Sequence, residues 1–314
     1  KMFGTSPSRY KVERSIELFI EACTNTDTAR MAKEIYPEDV EVIADIPYMN
    51  DDSVYHKMDL YVPKKLLTSG NDPLENKIYD RIVLDIHGGG FVYGLKEINK
   101  CCNMTVASQN SIPVASINYN LAPKFSIVNM HNEICSAIEF LTKNYGVKEI
   151  YIMGDSAGGY LALTTWANIV SEEIRKDFKC KVAPSVDVKG LVLICPAARD
   201  DSKYLEGIED TFFIDTPEEY LPVYARQLTN VVDKVLASGI KIPNTVLITS
   251  DHDFLHDETL DLADFMTSRG CKTSVFDGVT KENGNDLTHV YVVGHPEWEE
   301  SRKPLELISG LILE

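Results

Sequence analysis

One stretch near the middle of the chain, residues 150–162 with the sequence IYIMGDSAGGYLA, constrains the fold more than any other. An apolar run leads into a glycine-flanked turn and then into small residues suited to the start of a helix, which predicts strand, turn and helix in succession. Its centre matches the pattern G-x-S-x-G, in which glycines permit close backbone approach and a strained turn exposes the serine hydroxyl. The serine is therefore the candidate nucleophile. The motif consists of Gly154, Asp155, Ser156, Ala157 and Gly158.

Strand and helix patterns alternate along the rest of the chain, which predicts an α/β fold. We expect a single domain over residues 1–314, with a mostly parallel, twisted sheet of eight strands and helices on both faces. The first two strands are separated by turn-forming residues and are expected to form an antiparallel hairpin at a sheet edge. The predicted strands lie at residues 40–48, 54–62, 82–86, 113–119, 149–153, 190–195, 245–249 and 273–276. The predicted helices lie near residues 8–23, 98–110, 127–145, 157–175, 257–269 and 297–312.

One segment interrupts this alternation. Residues 198–242 contain helical pieces and no strand, and insertions after strand ends lie where ligands bind in open α/β sheets. We expect this segment, together with about residues 1–38, to form a helical cap over the functional site. Phe212 and Phe213 are then expected in the cap core, within reach of a substrate. A helical excursion elsewhere on the surface is the alternative.

A second motif follows the apolar strand at residues 82–86. Here His87 precedes three consecutive glycines, Gly88, Gly89 and Gly90. A simple turn does not need three glycines, whereas a loop whose bare N–H groups point at a bound anion does. Loops of this type supply part of the oxyanion hole in lipases and esterases. The order of the two motifs favours acyl transfer, and we expect the histidine to anchor the glycines rather than to act as a base.

A serine nucleophile needs a general base and a carboxylate that orients it, and on this architecture the acid precedes the histidine in sequence. The strand at residues 245–249 leads into Asp251 and Asp253, and His289 follows the last predicted strand. His295 is a second candidate base, although it precedes a proline and opens the last helix in the manner of a cap. The residues thus supply a base and either of two aspartates as the acid.

From about residue 59 to the C-terminus, the chain resembles the bacterial hormone-sensitive-lipase-like carboxylesterases of the α/β-hydrolase fold. The D-x-L-x-D-E pattern of that family falls on residues 253–258, so the resemblance implies that Asp253 is the acid of a triad. The family histidine falls on His289, with Val290 where glycine is usual. The resemblance also implies that the oxyanion donors are the N–H groups of Gly89, Gly90 and Ala157.

The chain departs from this family at residues 119–124, which read YNLAPK where the family has YRLAPE. Asn120 and Lys124 therefore replace a structural arginine and a structural glutamate. The joint loss of both charges is consistent with a compensated pair.

Charge and composition narrow the possible partners. A net charge of -17 repels nucleic-acid phosphates and anionic lipid surfaces, so we expect neither a nucleic-acid nor a membrane partner. No segment has the apolar length of a bilayer span, and the charged N-terminus does not fit a secretory signal. A segment cleaved before Lys1 stays an open alternative. The oligomeric state is undetermined, and a homodimer is one alternative.

Seven scattered cysteines without a C-x-x-C pair are expected to be reduced thiols, which favours a cytoplasmic location. Of these, Cys101 and Cys102 are expected to pack within a helix. His252 and His256, with neighbouring aspartates, could be interpreted as a metal site, but such crowding on a turn after a strand is more typical of a solvated loop. We expect no metal and no cofactor.

The sequence thus predicts a serine carboxylic-ester hydrolase that acts on small, short-chain acyl esters through an acyl-enzyme. An amidase or peptidase with the same triad is one alternative. A catalytically silent ligand-binding protein is another.

Overall fold

A computed structural model describes residues 7–67, 79–199 and 223–314, and its strands form one eight-stranded sheet with the order β1-β2-β4-β3-β5-β6-β7-β8. The first two strands pair antiparallel, β2 also pairs antiparallel with β4, and the other neighbours are parallel. This confirms the predicted fold class and the edge hairpin. The strands are β1 (Val40–Pro47), β2 (Lys57–Pro63), β3 (Arg81–Ile86), β4 (Val114–Ile117), β5 (Glu149–Asp155), β6 (Asp187–Ile194), β7 (Asn244–Ser250) and β8 (Thr273–Gly278).

Helices cover both faces of the sheet because the central strands are apolar on both sides. On β5, Ile150 and Ile152 belong to one apolar layer, whereas Tyr151 and Met153 belong to the other. Such two-sided burial is characteristic of parallel sheets. The helices are α1 (Pro7–Met31), α2 (Lys100–Asn110), α3 (Ile127–Tyr145), α4 (Ala157–Val170), α5 (Glu172–Asp177), α6 (Leu228–Ala237), α7 (His256–Ser268), α8 (Tyr291–Gly294) and α9 (Glu299–Leu313).

The helix predicted over residues 157–175 is in fact two helices. Ser171 interrupts it in an extended conformation, and its side chain accepts a hydrogen bond from the N–H of Ile174 at 3.3 Å. Serine competes with helical backbone bonding in this way, which makes it a good N-cap and a poor interior residue. The prediction of one continuous helix was therefore wrong, although its start at the serine turn was right.

The structure describes most of the first segment predicted to form a cap, but only parts of the second. Phe212 and Phe213 lie outside the described residues. Helix α6, near the end of the second segment, buries Leu228 and Val231 in the same apolar layer as α4. Helix α1 continues well beyond the predicted end at residue 23 and borders the cavity described below. The division into body and cap stays a prediction.

Among the helices of the described ranges, none combines the length and hydropathy that a bilayer span requires.

Candidate active site

Ser156 lies on a strained turn between β5 and α4. Its backbone has φ 52° and ψ −119°, a conformation that non-glycine residues rarely adopt, and its N–H donates to the carbonyl of Ile194 at 2.8 Å. The flanking glycines are required by close backbone approach. An added Cβ would lie 2.2 Å from the Gly158 oxygen at Gly154, and 1.9 Å from the Ile86 oxygen at Gly158.

The glycine loop that follows β3 packs directly against this turn. A Cβ on Gly88 would lie 2.4 Å from Oδ2 of Asp155, and one on Gly89 would lie 2.2 Å from the Tyr93 oxygen. Gly89 and Gly90 also have positive φ values of 100° and 58°. These contacts explain why the loop needs consecutive glycines: their backbone must lie close to the serine turn in conformations that side chains disfavour.

The buried ring of His87 supports the glycine loop. The ring is fully buried and stacks on Tyr119 with 4.4 Å between ring centroids, and the Tyr119 hydroxyl donates to the His87 carbonyl at 2.6 Å. Burial lowers the pKa of His87 to about 4, so the ring is neutral at physiological pH. A buried, stacked and neutral ring fits the expected anchoring role.

A buried carboxylate connects the two motifs. Asp155 accepts from the Gly88 N–H at 3.0 Å and from Nδ2 of Asn99 at 2.8 Å. The same amide group also donates to Asp85 at 3.1 Å. Burial and the nearby charge of Asp85 raise the pKa of Asp155 to about 7. This carboxyl is thus part of the support of the glycine loop, a role that the pattern G-x-S-x-G leaves unspecified.

His289 and Asp253 form a close pair at the carboxyl ends of the strands. Nδ1 of His289 lies 2.6 Å from Oδ1 of Asp253, which also accepts from the Leu255 N–H at 3.0 Å, while Oδ2 accepts from the Thr249 hydroxyl at 2.8 Å. Burial alone would raise the pKa of Asp253, but the hydrogen bond and charge of His289 hold it below its usual value. The carboxylate is therefore charged and oriented toward the imidazole.

One cavity of about 430 Å³ brings the two motifs and the histidine together. Its wall includes Ser156, His289 and the predicted oxyanion donors Gly89, Gly90 and Ala157. Within the described ranges, no hydrogen bond joins the Ser156 hydroxyl to the His289 ring. The apolar part of the wall consists of Phe19, Ala22, Phe91, Ile98, Ala197, Phe254, Leu255, Val290 and Val293.

The other candidate acid and base lie in different surroundings. Asp251 accepts from the Thr280 N–H at 3.0 Å and from its hydroxyl at 2.8 Å. His295 borders the same cavity but stacks on Trp298 at 3.9 Å, and its Nδ1 lies 3.2 Å from Glu297. The geometry thus favours Asp253 over Asp251 as the partner of His289.

The histidines considered as metal ligands are paired with carboxylates near the surface. His252 contacts Asp286 at 2.5 Å, and His256 contacts Asp277 at 3.0 Å. Among the described residues, the group with metal-binding spacing is instead Cys195, Asp253 and His289, whose ligand atoms lie within 4.8 Å of one another. In that group the imidazole and carboxylate already bond to each other, and burial raises the thiol pKa well above its usual value.

Two features of the site have no motif in the sequence. The sulfur of Cys195 lies within 4.8 Å of a ring nitrogen of His289, and the sequence marks this cysteine only by the proline that follows it. Helix α1 contributes Asp27 and Arg30 to the cavity wall: Asp27 accepts from the Tyr93 hydroxyl at 2.9 Å, and Arg30 donates to the Ile98 carbonyl at 2.8 Å. The apolar face of the predicted helix indicated that it packs, but not against what.

The family departure at Asn120 is accommodated by a carboxylate. Its N–H donates to Oε2 of Glu133 at 2.7 Å and its Nδ2 donates to Oε1 at 2.8 Å. Nε2 of His56 lies 3.0 Å from the same amide nitrogen. In the described structure, Asn120 thus has Glu133 and His56 as hydrogen-bonding partners.

Comparison with known proteins agrees with this fold. An arylesterase of Saccharolobus solfataricus is 24% identical over 244 residues, which are 74% of each chain. Among solved structures, esterase B of Lactobacillus rhamnosis, inhibited by a tributyrin phosphonate, has a TM-score of 0.82 at 23% identity, over 96% of this chain and 94% of that one. An esterase of Pyrobaculum calidifontis has a TM-score of 0.67 at 21% identity, over 99% and 98% of the two chains. At these identities the solved structures establish the fold.

The family assignment rests on a match to a family model. The model of the alpha/beta hydrolase fold family matches residues 83–282, which is more than half of the chain and contains the glycine loop, the serine turn and Asp253. The chain therefore belongs to the α/β-hydrolase fold family, in agreement with its resemblance to the hormone-sensitive-lipase-like carboxylesterases.

Proposed function

We propose that this carboxylesterase-type hydrolase cleaves small, short-chain acyl esters through Ser156, His289 and Asp253. The observation that carries the proposal is the shared cavity: the serine, the glycine loop and the histidine border one space, and a buried carboxylate holds the histidine at 2.6 Å. Nucleophile, base, orienting acid and anion-binding amides are the groups that acyl transfer requires.

In the first half of the reaction, Nε2 of His289 takes the proton of the Ser156 hydroxyl as its oxygen attacks the ester carbonyl. Asp253 keeps the Nδ1 proton in place and stabilises the imidazolium that forms. The backbone N–H groups of Gly89, Gly90 and Ala157 bind the developing oxyanion. The imidazolium then protonates the departing alcohol, which leaves an acyl-enzyme.

In the second half, His289 takes a proton from water as the water oxygen attacks the acyl carbonyl. Collapse of the tetrahedral intermediate returns the proton to the Ser156 oxygen and releases the carboxylic acid. Each oxyanion donor contributes a factor of roughly 10² to 10³ to kcat, about 3 to 4 kcal/mol.

The size and polarity of the cavity support small acyl groups. A volume of about 430 Å³ is near the lower end of ligand pockets, and most of its wall beside the serine is apolar. The fold relative from Lactobacillus is a protein inhibited by a tributyrin phosphonate, and the Saccharolobus relative is an arylesterase. Both names support testing butyryl and aryl esters first.

The experiment is Ser156→Ala, assayed on aryl acetates and butyrates together with fluorophosphonate labelling. We expect hydrolysis and labelling to be lost while circular dichroism is unchanged, because alanine removes only the attacking oxygen. Ser268→Ala, which changes an exposed serine on α7, is the matched control and should keep both. Undiminished turnover by the Ser156 variant would end the assignment.

Matched anilides of the same acids distinguish an esterase from an amidase, since the triad alone serves both reactions. We expect the ester to react faster, because an anilide is a poorer acyl donor and the described cavity wall carries no group that we assign to activating it. A homodimer and a cytoplasmic location stay predictions from the sequence.

A further inference from the structure

Cys195 lies immediately after β6 in a conformation that its side chain does not favour. It has φ 46°, and its N–H donates to the Ile248 carbonyl of the neighbouring strand at 2.7 Å. A non-glycine residue in the left-handed region costs about 1 to 3 kcal/mol and persists where its surroundings fix it. The residue is fully buried, so its thiol is directed into the protein and not toward solvent.

The buried thiol contacts the backbone that carries the base. Sγ accepts a hydrogen bond from the Val290 N–H at 3.4 Å. Val290 follows His289 directly and itself has φ 55°, so the peptide between these two residues is held in an unusual orientation. A valine adopts this conformation reluctantly, and the sulfur gives its N–H a hydrogen-bond acceptor.

The same thiol also faces the acid. Sγ, a carboxylate oxygen of Asp253 and a ring nitrogen of His289 lie within 4.8 Å of one another. Burial, and then the nearby charge of Asp253, raise the thiol pKa well above its usual value. Asp155 is the other charged group that raises the thiol pKa. Burial, and then the charge of an ionised Cys195, in turn raise the pKa of the Tyr291 hydroxyl. The sulfur therefore keeps its proton and lies within 4.8 Å of a carboxylate oxygen of Asp253.

We infer that Cys195 is a positioning residue for the reaction: its S–H donates to the Asp253 carboxylate while its sulfur accepts from the Val290 amide, so that one side chain fixes both the acid and the base. The inference rests on the proposed function of His289 and Asp253. A thiol suits this double role because it is a weak donor and a weak acceptor. It orients the carboxylate and, as a weak donor, draws away only a small part of the charge that stabilises the imidazolium.

The test compares Cys195→Ala with Cys195→Ser. Alanine removes the donor and the acceptor, and we expect kcat to fall about tenfold with KM unchanged, the size expected for one hydrogen bond to a charged group. The acid limb of the kcat/KM profile should shift to higher pH, because a carboxylate without the thiol donor attracts the imidazolium proton more strongly. Serine keeps one donor and one acceptor and should recover most of the loss.

The control is Cys135→Ala, which removes an equally buried thiol from α3, a helix whose Ile134 and Ile138 belong to the other apolar layer. It should lower the free energy of unfolding to a similar extent and leave the pH profile unchanged. A profile of Cys195→Ala that matches the wild type, or an equal loss in the alanine and serine variants, would refute the positioning role.

A measurement that needs no turnover separates this inference from the proposed function. The low-field proton resonance of the His289–Asp253 hydrogen bond, observed by NMR, should move in Cys195→Ala and stay in Cys135→Ala. A moved resonance in a protein whose Ser156→Ala variant remains active would support the inference while the proposed function fails. An unmoved resonance would overturn the inference whatever the activity.

Discussion

Two aspartates separated by a single residue show how local geometry assigns chemistry that a sequence leaves ambiguous. Asp253 is buried, contacts Nδ1 of His289 at 2.6 Å and accepts two further hydrogen bonds. Asp251 is exposed and bonds to Thr280. Both follow the same strand and carry the same charge. The direction of each side chain after β7, rather than residue type, makes one of them the candidate acid.

Substituting each aspartate by asparagine tests this difference. Asp253→Asn keeps the size of the side chain but removes the charge and lets the imidazole take the wrong tautomer, so kcat on aryl butyrates should fall by about 10³ to 10⁴. Asp251→Asn is the matched control, and its kcat should stay within about twofold of the wild type, as expected for an exposed surface substitution. Comparable losses in the two variants would contradict the role given to Asp253.

At this scale the sequence predicted the candidate residues that belong to motifs. The serine turn, the glycine loop and His289 all border one cavity, as their positions after strands indicated. Cys195 was missed because its contribution depends on contacts with Val290 and Asp253, which are distant in sequence. The roles of these side chains in catalysis stay proposals.

Helix α1 forms one side of the cavity. It contributes Phe19 and Ala22 to the apolar wall, and Asp27 and Arg30 connect its C-terminal half to the loop that follows β3. A helix outside the alternating strand pattern therefore closes one side of the space in front of the serine. Its side chains are well placed to select among acyl groups.

Shortening Phe19 tests this role. Phe19→Ala enlarges the cavity on its apolar side. We therefore expect the ratio of kcat/KM for octanoyl over butyryl esters to rise about tenfold. This lies within the 1 to 3 kcal/mol that a change of one methylene contributes in such pockets. Leu18→Ala is the matched control on the same helix, because Leu18 is 50% exposed and does not border the cavity. An unchanged ratio in the Phe19 variant would show that α1 does not contact the acyl chain.

The sequence predicted the strands more accurately than the ends of the helices. The positions of most strands follow from apolar runs, such as those of β3, β5 and β7, that are visible in the sequence itself. Helix ends depend on single side chains: Ser171 divides one predicted helix, and α1 extends to Met31, beyond the apolar repeat that predicted it. Polar residues that pair with distant loops, such as Arg30 with Ile98, extend a helix without leaving a periodic signal.

For the whole molecule, burial of titratable groups couples stability to pH. His131 is fully buried between α3 and α4, where its Nε2 lies 2.8 Å from the Thr164 hydroxyl, and burial lowers its pKa to about 3. Between pH 6.5 and about 3 the unfolded chain binds a proton at this histidine that the native chain does not. Its contribution to the free energy of unfolding therefore falls as the pH falls through that window.

Replacing this histidine tests the coupling. We expect the free energy of unfolding of His131→Gln, measured with urea at several pH values, to fall less steeply than that of the wild type below pH 6.5, by up to about 1.4 kcal/mol per pH unit. Above pH 7 the two curves should run parallel, which is the internal control. Asp155 contributes the opposite slope in both proteins, because its raised pKa lowers stability as the pH rises from 3.8 to about 7. Curves that are parallel throughout would contradict a neutral buried His131.

The backbone strain around the cavity has a consequence for how this protein can be stabilised. Phe91, Ser156 and Val290 border the cavity with positive φ values of 62°, 52° and 55°, and Cys195, with φ 46°, lies beside the histidine and its carboxylate. Glycine at such a position would relieve the backbone strain, but at Phe91 and Cys195 it would also remove a buried side chain from an apolar layer. Because the strained residues cluster at the candidate active site, we expect a variant relaxed at Ser156 or Val290 to lose activity even where its backbone gains stability.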